Sequence, residues 1–141
     1  MHKILLIDSN CASANKIASA LTKSGFEVII ASSESEGLKL AEDVSPNSIV
    51  VSDNTSQLNG SKLCRRIRHL FDLPIILLSD KPEDEVYPLT LKGGADWSYY
   101  MRFPMSYQEL AARIKVLLWR YGKAEMPRSQ EKGVTCLSNK L

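Results

Sequence analysis

Pro46-Asn47-Ser48-Ile49-Val50-Val51-Ser52-Asp53 is the stretch that decides the fold. Residues 49–51 are apolar, β-branched and continuous, and a polar pair follows at once. An apolar run without alternation suits a strand buried on both faces, as in a parallel sheet covered by helices. On its amino-terminal side, 37–44 reads as a short helix with Leu38 and Ala41 inward, ended by Ser45-Pro46. Before that, 26–31 is a second strand, and Gly25 stops a helix in which Cys11, Ala14, Ile17, Ala18 and Leu21 recur at helical spacing. Residues 4–7 form the first strand.

On the carboxyl side, a polar loop over 53–60 leads to a helix carrying Leu63, Cys64, Ile67, Leu70 and Phe71. Pro74 precedes a fourth strand over 75–78. Residues 83–92 read as a weaker helix with Pro88 in it, closed by Gly93-Gly94. A fifth strand is expected over 97–101. The last helix, 106–121, carries the stripe Leu110, Ile114, Leu117, Leu118 and Tyr121. Five strands, each followed by a helix, predict an α/β domain over 1–121: a five-stranded parallel sheet, doubly wound. Residues 122–133 are polar, with one Pro and two Gly, and read as a linker. Residues 134–141 are one more strand or a frayed end.

Composition narrows the function. The chain has 141 residues, 44% hydrophobic and 24% charged, which suits a globular domain that needs no disulfide or metal staple. Residues 1–121 hold 14 Lys/Arg and 14 Asp/Glu, so the net +2 belongs to the tail. No broad basic field exists to hold DNA by counterion release. Cys11, Cys64 and Cys136 are widely spaced and match neither a disulfide framework nor a zinc site. Buried small hydrophobes in a reducing cytoplasm is the expected reading. The opening apolar run stops at Asp8, too short for a signal-peptide core or a membrane span.

In such sheets chemistry sits at the carboxyl ends of the strands. Here those ends are Asp8-Ser9, Ser52-Asp53, Ser79-Asp80 and the region after Tyr99. The first turn, Asp8-Ser9-Asn10-Cys11, has no glycine, which argues against a dinucleotide site or a P-loop. His2 and His69 lie at the amino terminus and on a helix, so Ser–His–Asp catalysis is not indicated. No acid–base pair with a substrate pocket is visible, and no enzyme activity is expected.

The segments KILLID, GFEV, PNSIVVSD, LNG, PIILLS, GGAD and FPMSYQELAARIKVLLWR resemble, in order and spacing, the receiver domain of two-component response regulators. The resemblance covers about residues 3–121. Its last helix is similar to the OmpR/PhoB type, which joins a flavodoxin-like receiver to a carboxyl-terminal winged-helix DNA-binding domain. The resemblance implies phosphoryl transfer from a histidine kinase onto an aspartate after the third strand. It also implies Mg²⁺ held by that aspartate and an acidic pair, a lysine neutralising the phosphoryl oxygens, a Ser/Thr bonding to them, and a mobile aromatic.

Carried over by position, the acidic pair falls on Asp8 and Ser9, and the phosphoacceptor on Ser52. The metal-binding carbonyl falls on Asn54, and the usual proline of that loop is Ser56. The Ser/Thr switch position is Ser79, the aromatic is Tyr100, and the lysine position is Phe103. Of three carboxylates implied by the family, Asp8 alone is in place. Serine forms no acyl phosphate and is a poor Mg²⁺ ligand, so no metal is expected, Asp8 being a weak candidate alone. Phe103, if folded inward, would fill the phosphoryl space. The expected reading is an atypical receiver that phosphorylation does not switch. The alternative brings Asp53 into the pocket as acceptor, with Mg²⁺, through a bulge at the strand end.

The bland readings stand beside these. Asp8 caps the entry turn of the first helix, Ser79 bonds to backbone, and Arg65, Arg66, Arg68 and His69 form a solvated face. Trp97, Trp119 and Tyr121 are buried aromatics, or they lie near the edge formed by 83–92, the fifth strand and the last helix. OmpR/PhoB-type receivers dimerise on that edge, and Asp96, Glu109 and Arg113 match its charged positions. The resemblance implies a homodimer, control of an output domain or partner protein, a histidine kinase as a further partner, DNA contact only through a domain outside this chain, and no membrane. A stand-alone adaptor binding a kinase or regulator is the other expectation.

Overall fold

The computed structural model describes residues 2–53, 60–80, 98–102 and 106–125. The element order is β1 (Lys3–Asp8), α1 (Cys11–Lys23), β2 (Glu27–Ala31), α2 (Glu34–Val44), β3 (Ser48–Asp53), α3 (Gly60–Leu70), β4 (Ile75–Ser79), β5 (Ser98–Arg102) and α4 (Tyr107–Glu125). The described residues thus hold five strands and four helices. The helix expected over 83–92 lies outside them, as do Asp96, Trp97, Phe103 and the tail beyond 125. All neighbouring strands are parallel, in the order β2-β1-β3-β4-β5.

Strand alternation divides the core in two. Ile4 and Leu6 of β1, Val50 of β3, and Ile76 and Leu78 of β4 pack with Ala14, Ile17 and Leu21 of α1 and with Leu110, Ile114 and Leu117 of α4. Leu5, Ile7, Ile49, Val51, Ile75 and Leu77 pack on the other face with Ala41 of α2 and with Leu63, Cys64 and Ile67 of α3. The strands are apolar on both faces because helices cover both faces. No helix among the described residues is long and apolar enough to cross a membrane.

Local sequence sets the ends. Asn10 caps α1, its side chain accepting from Ser13 N at 3.0 Å. At the other end Gly25 N donates to Thr22 O and Phe26 N to Leu21 O, with Gly25 at φ 99°. This paired closure places one residue in the left-handed region, where glycine has no Cβ penalty. It also consumes Phe26, so β2 begins at Glu27 rather than at 26. The second helix starts at Glu34, earlier than the expected 37. Ser33 Oγ accepts from Glu36 N, and Glu36 Oε1 accepts from Ser32 N at 2.8 Å. That Ser-x-x-Glu spacing is a helix-start signal which apolar periodicity alone does not register. The Ser32 N–H and hydroxyl hold the Glu36 carboxyl below its ordinary range.

Three apolar assignments change. Cys11, expected buried with the stripe of α1, is exposed in that helix's first turn. Leu70, expected on the inward stripe of α3, is 62% exposed, because it closes the last turn beyond the sheet. Trp119 is not a buried aromatic; it is 64% exposed on the outer side of α4. Tyr121 is half-buried and its hydroxyl donates to Asp72 O, tying α4 to the α3–β4 connection.

Candidate functional site at the strand ends

The sheet order reverses direction between β1 and β3, so their carboxyl ends flank a crevice where ligands bind in open α/β sheets. Asp8 ends β1, Ser52 and Asp53 end β3, and Ser79 ends β4. All four are buried to 1% exposure or less. Four polar side chains at this depth need partners, since each unpaired one costs free energy.

The register sorts them into two rows. Asp8 pairs with Ser52, Ser52 with Leu78, and Leu78 with Met101. Leu78 and Met101 belong to the α1/α4 core, so this row faces that side. One residue on, Asp53 pairs with Ser79, and Ser79 with Arg102. By alternation Asp53 and Ser79 face α2 and α3. Asp8 and Ser52, expected in one pocket, are thus neighbours, while Ser79 stands one row further beside Asp53. Tyr100 pairs with Leu77 in the β4–β5 ladder. Asn54, Ser56 and Phe103 lie outside the described residues.

Asp8 uses one oxygen locally: Oδ1 accepts from Asn10 N at 2.9 Å and holds the turn into α1. Its Oδ2 has no hydrogen-bond partner among the described residues, and neither has Ser52 Oγ. Ser9 is half-buried.

Asp53 is built into a different place. A Cβ on Gly60 would lie 2.6 Å from Asp53 Cβ and 2.7 Å from Leu77 Cδ1, so the first turn of α3 sits directly on this aspartate. Cys64, one turn along, is fully buried. Burial pushes its thiol up to about 12, against the pull of Arg68 and with a further push from Asp53. Burial also holds the Arg68 guanidinium below its ordinary value, opposed by Cys64. Sequence reading took Arg68 as part of a solvated basic face, and it is half-buried instead. Arg65, Arg66 and His69 are exposed, and Arg66 pairs with Glu34 of α2. This Asp53–Cys64–Arg68 group was not singled out as a unit, although the i, i+4 spacing of Cys64 and Arg68 was a legible signal.

A Mg²⁺ ion wants about six oxygen ligands in near-octahedral geometry, usually including carboxylates. Here Asp8 supplies one free carboxylate oxygen, Ser52 a hydroxyl, and Asp53 belongs to the opposite row. Among the described residues no three His, Cys, Asp or Glu side chains group as a metal site. This donor set does not fit the ion.

The remaining expected positions lie on α4. Ser106 Oγ accepts from Glu109 N at 3.0 Å, so Ser106 caps the helix and Glu109 occupies its first turn, where a carboxylate suits the helix dipole. Glu109 and Arg113 are exposed.

A doubly wound parallel sheet in the order β2-β1-β3-β4-β5, with buried acid and hydroxyl groups at the β1/β3 ends, is a flavodoxin-like α/β domain. Residues 4–115 match the response regulator receiver domain, and the chain belongs to that family, the receivers of two-component systems. Transcriptional regulatory protein AfsQ1 of Streptomyces coelicolor is 35% identical over 133 residues, covering 94% of this chain and 58% of that protein. The Bacillus subtilis alkaline phosphatase synthesis transcriptional regulatory protein PhoP is 35% identical over 131 residues, covering 92% and 53%. The chain thus spans a little over half the length of these relatives. Among solved structures, a two-component response regulator from Clostridium difficile superposes with a TM-score of 0.75 at 26% identity, over 85% of this chain and 98% of that one. A CheY-like receiver domain protein from Methanospirillum hungatei gives 0.78 at 25% identity, over 87% and 98%.

Proposed function

We propose that this chain is the receiver portion of an OmpR/PhoB-type transcription regulator and that it works without aspartyl phosphorylation. The carrying observation is Ser52 at the acceptor position, in register with Asp8, while Asp53 lies in the other row beneath Gly60. A serine ester is not an acyl phosphate, and one carboxylate does not hold Mg²⁺ against water. The covering of Asp53 by α3 weighs against its use as a substitute acceptor.

On this reading the domain over 1–121 is a protein–protein module without catalysis of its own. It acts in the cytoplasm, pairs with a second copy on the face bearing Asp96, Glu109 and Arg113, and governs a winged-helix output domain reached through the linker 122–141. DNA contact belongs to that output domain, and a histidine kinase is a docking partner rather than a phosphoryl donor. The match to transcriptional regulators of which this chain covers only 58% and 53% supports this. Titrating the protein with Mg²⁺ and beryllofluoride while following amide NMR shifts tests it. No shifts are expected near Asp8, Ser52 or Asp53; saturable shifts centred on Asp53 would overturn the reading. A reading frame that ends at Leu141 would favour the stand-alone adaptor.

A further inference from the structure

Two buried polar atoms lack partners, and they belong to neighbouring residues. Asp8 Oδ2 and Ser52 Oγ make no hydrogen bond among the described residues. Both residues are buried to 1% and stand in register on β1 and β3. The other oxygen of Asp8 is taken by Asn10 N. Among the described residues the ion pair is that of Arg66 with Glu34, and Asp8 has none. Leaving such atoms unpaired is costly. Their place is the crevice where open α/β sheets hold ligands.

We propose that this pair is a binding site for a primary ammonium group carried on a small apolar molecule. The proposal rests on the phosphorylation-independent reading above and names the chemistry of the ligand that takes the place of phosphate there.

The two atoms select the class. An anion is repelled by Asp8, and a neutral hydrocarbon leaves both oxygens unpaired. A divalent cation needs about six oxygens and finds too few. An ammonium group needs only as many acceptors as it has N–H bonds, and it brings the charge that the buried carboxylate lacks. Neighbouring strands run about 4.8 Å apart, a span that one nitrogen bridges with two bonds of about 2.9 Å at about 110°, close to tetrahedral. Burial to 1% admits only a small head group, so a quaternary ammonium does not fit. Beyond Ser52 the row continues with Leu78 and Met101, both in the α1/α4 core. They offer hydrocarbon to the rest of the ligand, and a methionine side chain adapts readily to a new neighbour.

Amide NMR titration of the 141-residue chain with n-butylammonium chloride tests this. Potassium chloride at equal ionic strength, n-butanol and butyltrimethylammonium chloride are the comparisons. Saturable shifts centred on Asp8 and Ser52 are expected with n-butylammonium alone. Asp8→Asn keeps an oxygen for Asn10 N but replaces Oδ2 with an amide nitrogen, and should weaken binding about tenfold or more. Ser52→Ala removes only the hydroxyl and should weaken it severalfold. Circular dichroism melts establish that the variants are folded, and Ser52→Ala carries the test if Asp8→Asn is not. Absent shifts with n-butylammonium, equal shifts with potassium or n-butanol, or undiminished binding by either folded variant would overturn the site. None of these results touches the phosphorylation-independent reading, which the beryllofluoride titration decides separately.

Discussion

Asp8 and Ser52 stand in register across β1 and β3, both buried to 1%, with Asp8 Oδ2 and Ser52 Oγ left without hydrogen-bond partners among the described residues. A buried hydroxyl without a partner contributes no stability, so its removal should be cheap. Ser52→Ala is expected to change unfolding free energy by less than about 1 kcal/mol. Asp8→Ala loses the bond from Asn10 N that holds the turn into α1, and should cost about 1 kcal/mol, as a lost helix cap does. Urea titrations of the two variants check this; a larger loss for Ser52→Ala would mean that its hydroxyl has a partner.

Ser52→Asp places a second carboxylate beside Asp8. Two like charges at this depth repel and are poorly solvated, so the variant should melt well below the parent in chelator. Added Mg²⁺ should recover much of the loss, because an ion that binds only the folded state stabilises it. The parent melting temperature should not respond to Mg²⁺. Thermal melts of both proteins with and without the ion decide the point.

Gly60→Ala should destabilise by about 1–3 kcal/mol, the usual range for overpacking. The added methyl would meet Asp53 Cβ, which is fixed to the backbone, and Leu77 Cδ1, which is packed in the core. Chemical denaturation measures it. A neutral result would mean that α3 does not rest on Asp53.

Cys64 gives a pH dependence of definite sign. Its thiol is raised from 9.0 to about 12 in the folded protein, mainly by burial. Between those values the unfolded chain loses the proton while the folded one keeps it. The stability from this group is intact below pH 9.0 and is lost as pH rises toward 12. The slope approaches about 1.4 kcal/mol per pH unit. Denaturation series between pH 8 and 11 should therefore fall more steeply for the parent than for Cys64→Ala. Peptide mapping after brief alkylation of native protein should find Cys11, which is exposed, labelled well before Cys64, which is buried.

Much of this was readable beforehand for physical reasons. Strands such as 49–51 and 75–78 are buried on both faces, so their apolar runs announce them directly. Ser52 could be placed by counting from Pro46 and Gly60, and Asp8 by the end of the opening apolar run. Period-two alternation already set Asp53 on the face opposite Ser52. What escaped depends on geometry that spacing does not encode. Phe26 is taken by the turn closing α1, and Glu36 starts α2 through hydrogen bonds rather than an apolar face. Leu70 and Trp119 are apolar yet exposed, and only the position of the sheet reveals which side of a helix is covered. Arg68 looked solvated by its charged neighbours but lies half-buried beside Cys64.

The central claim is that the receiver works without aspartyl phosphorylation. Incubation with acetyl phosphate and Mg²⁺, followed by intact mass and peptide mapping, tests it most directly, with a Ser9→Asp, Ser52→Asp, Phe103→Lys variant as the positive comparison. The parent should show no phosphoryl adduct and an unchanged dimer fraction, while the variant acquires an adduct at residue 52. A parent adduct on Asp53, accompanied by a shift in the dimer fraction, would contradict the account.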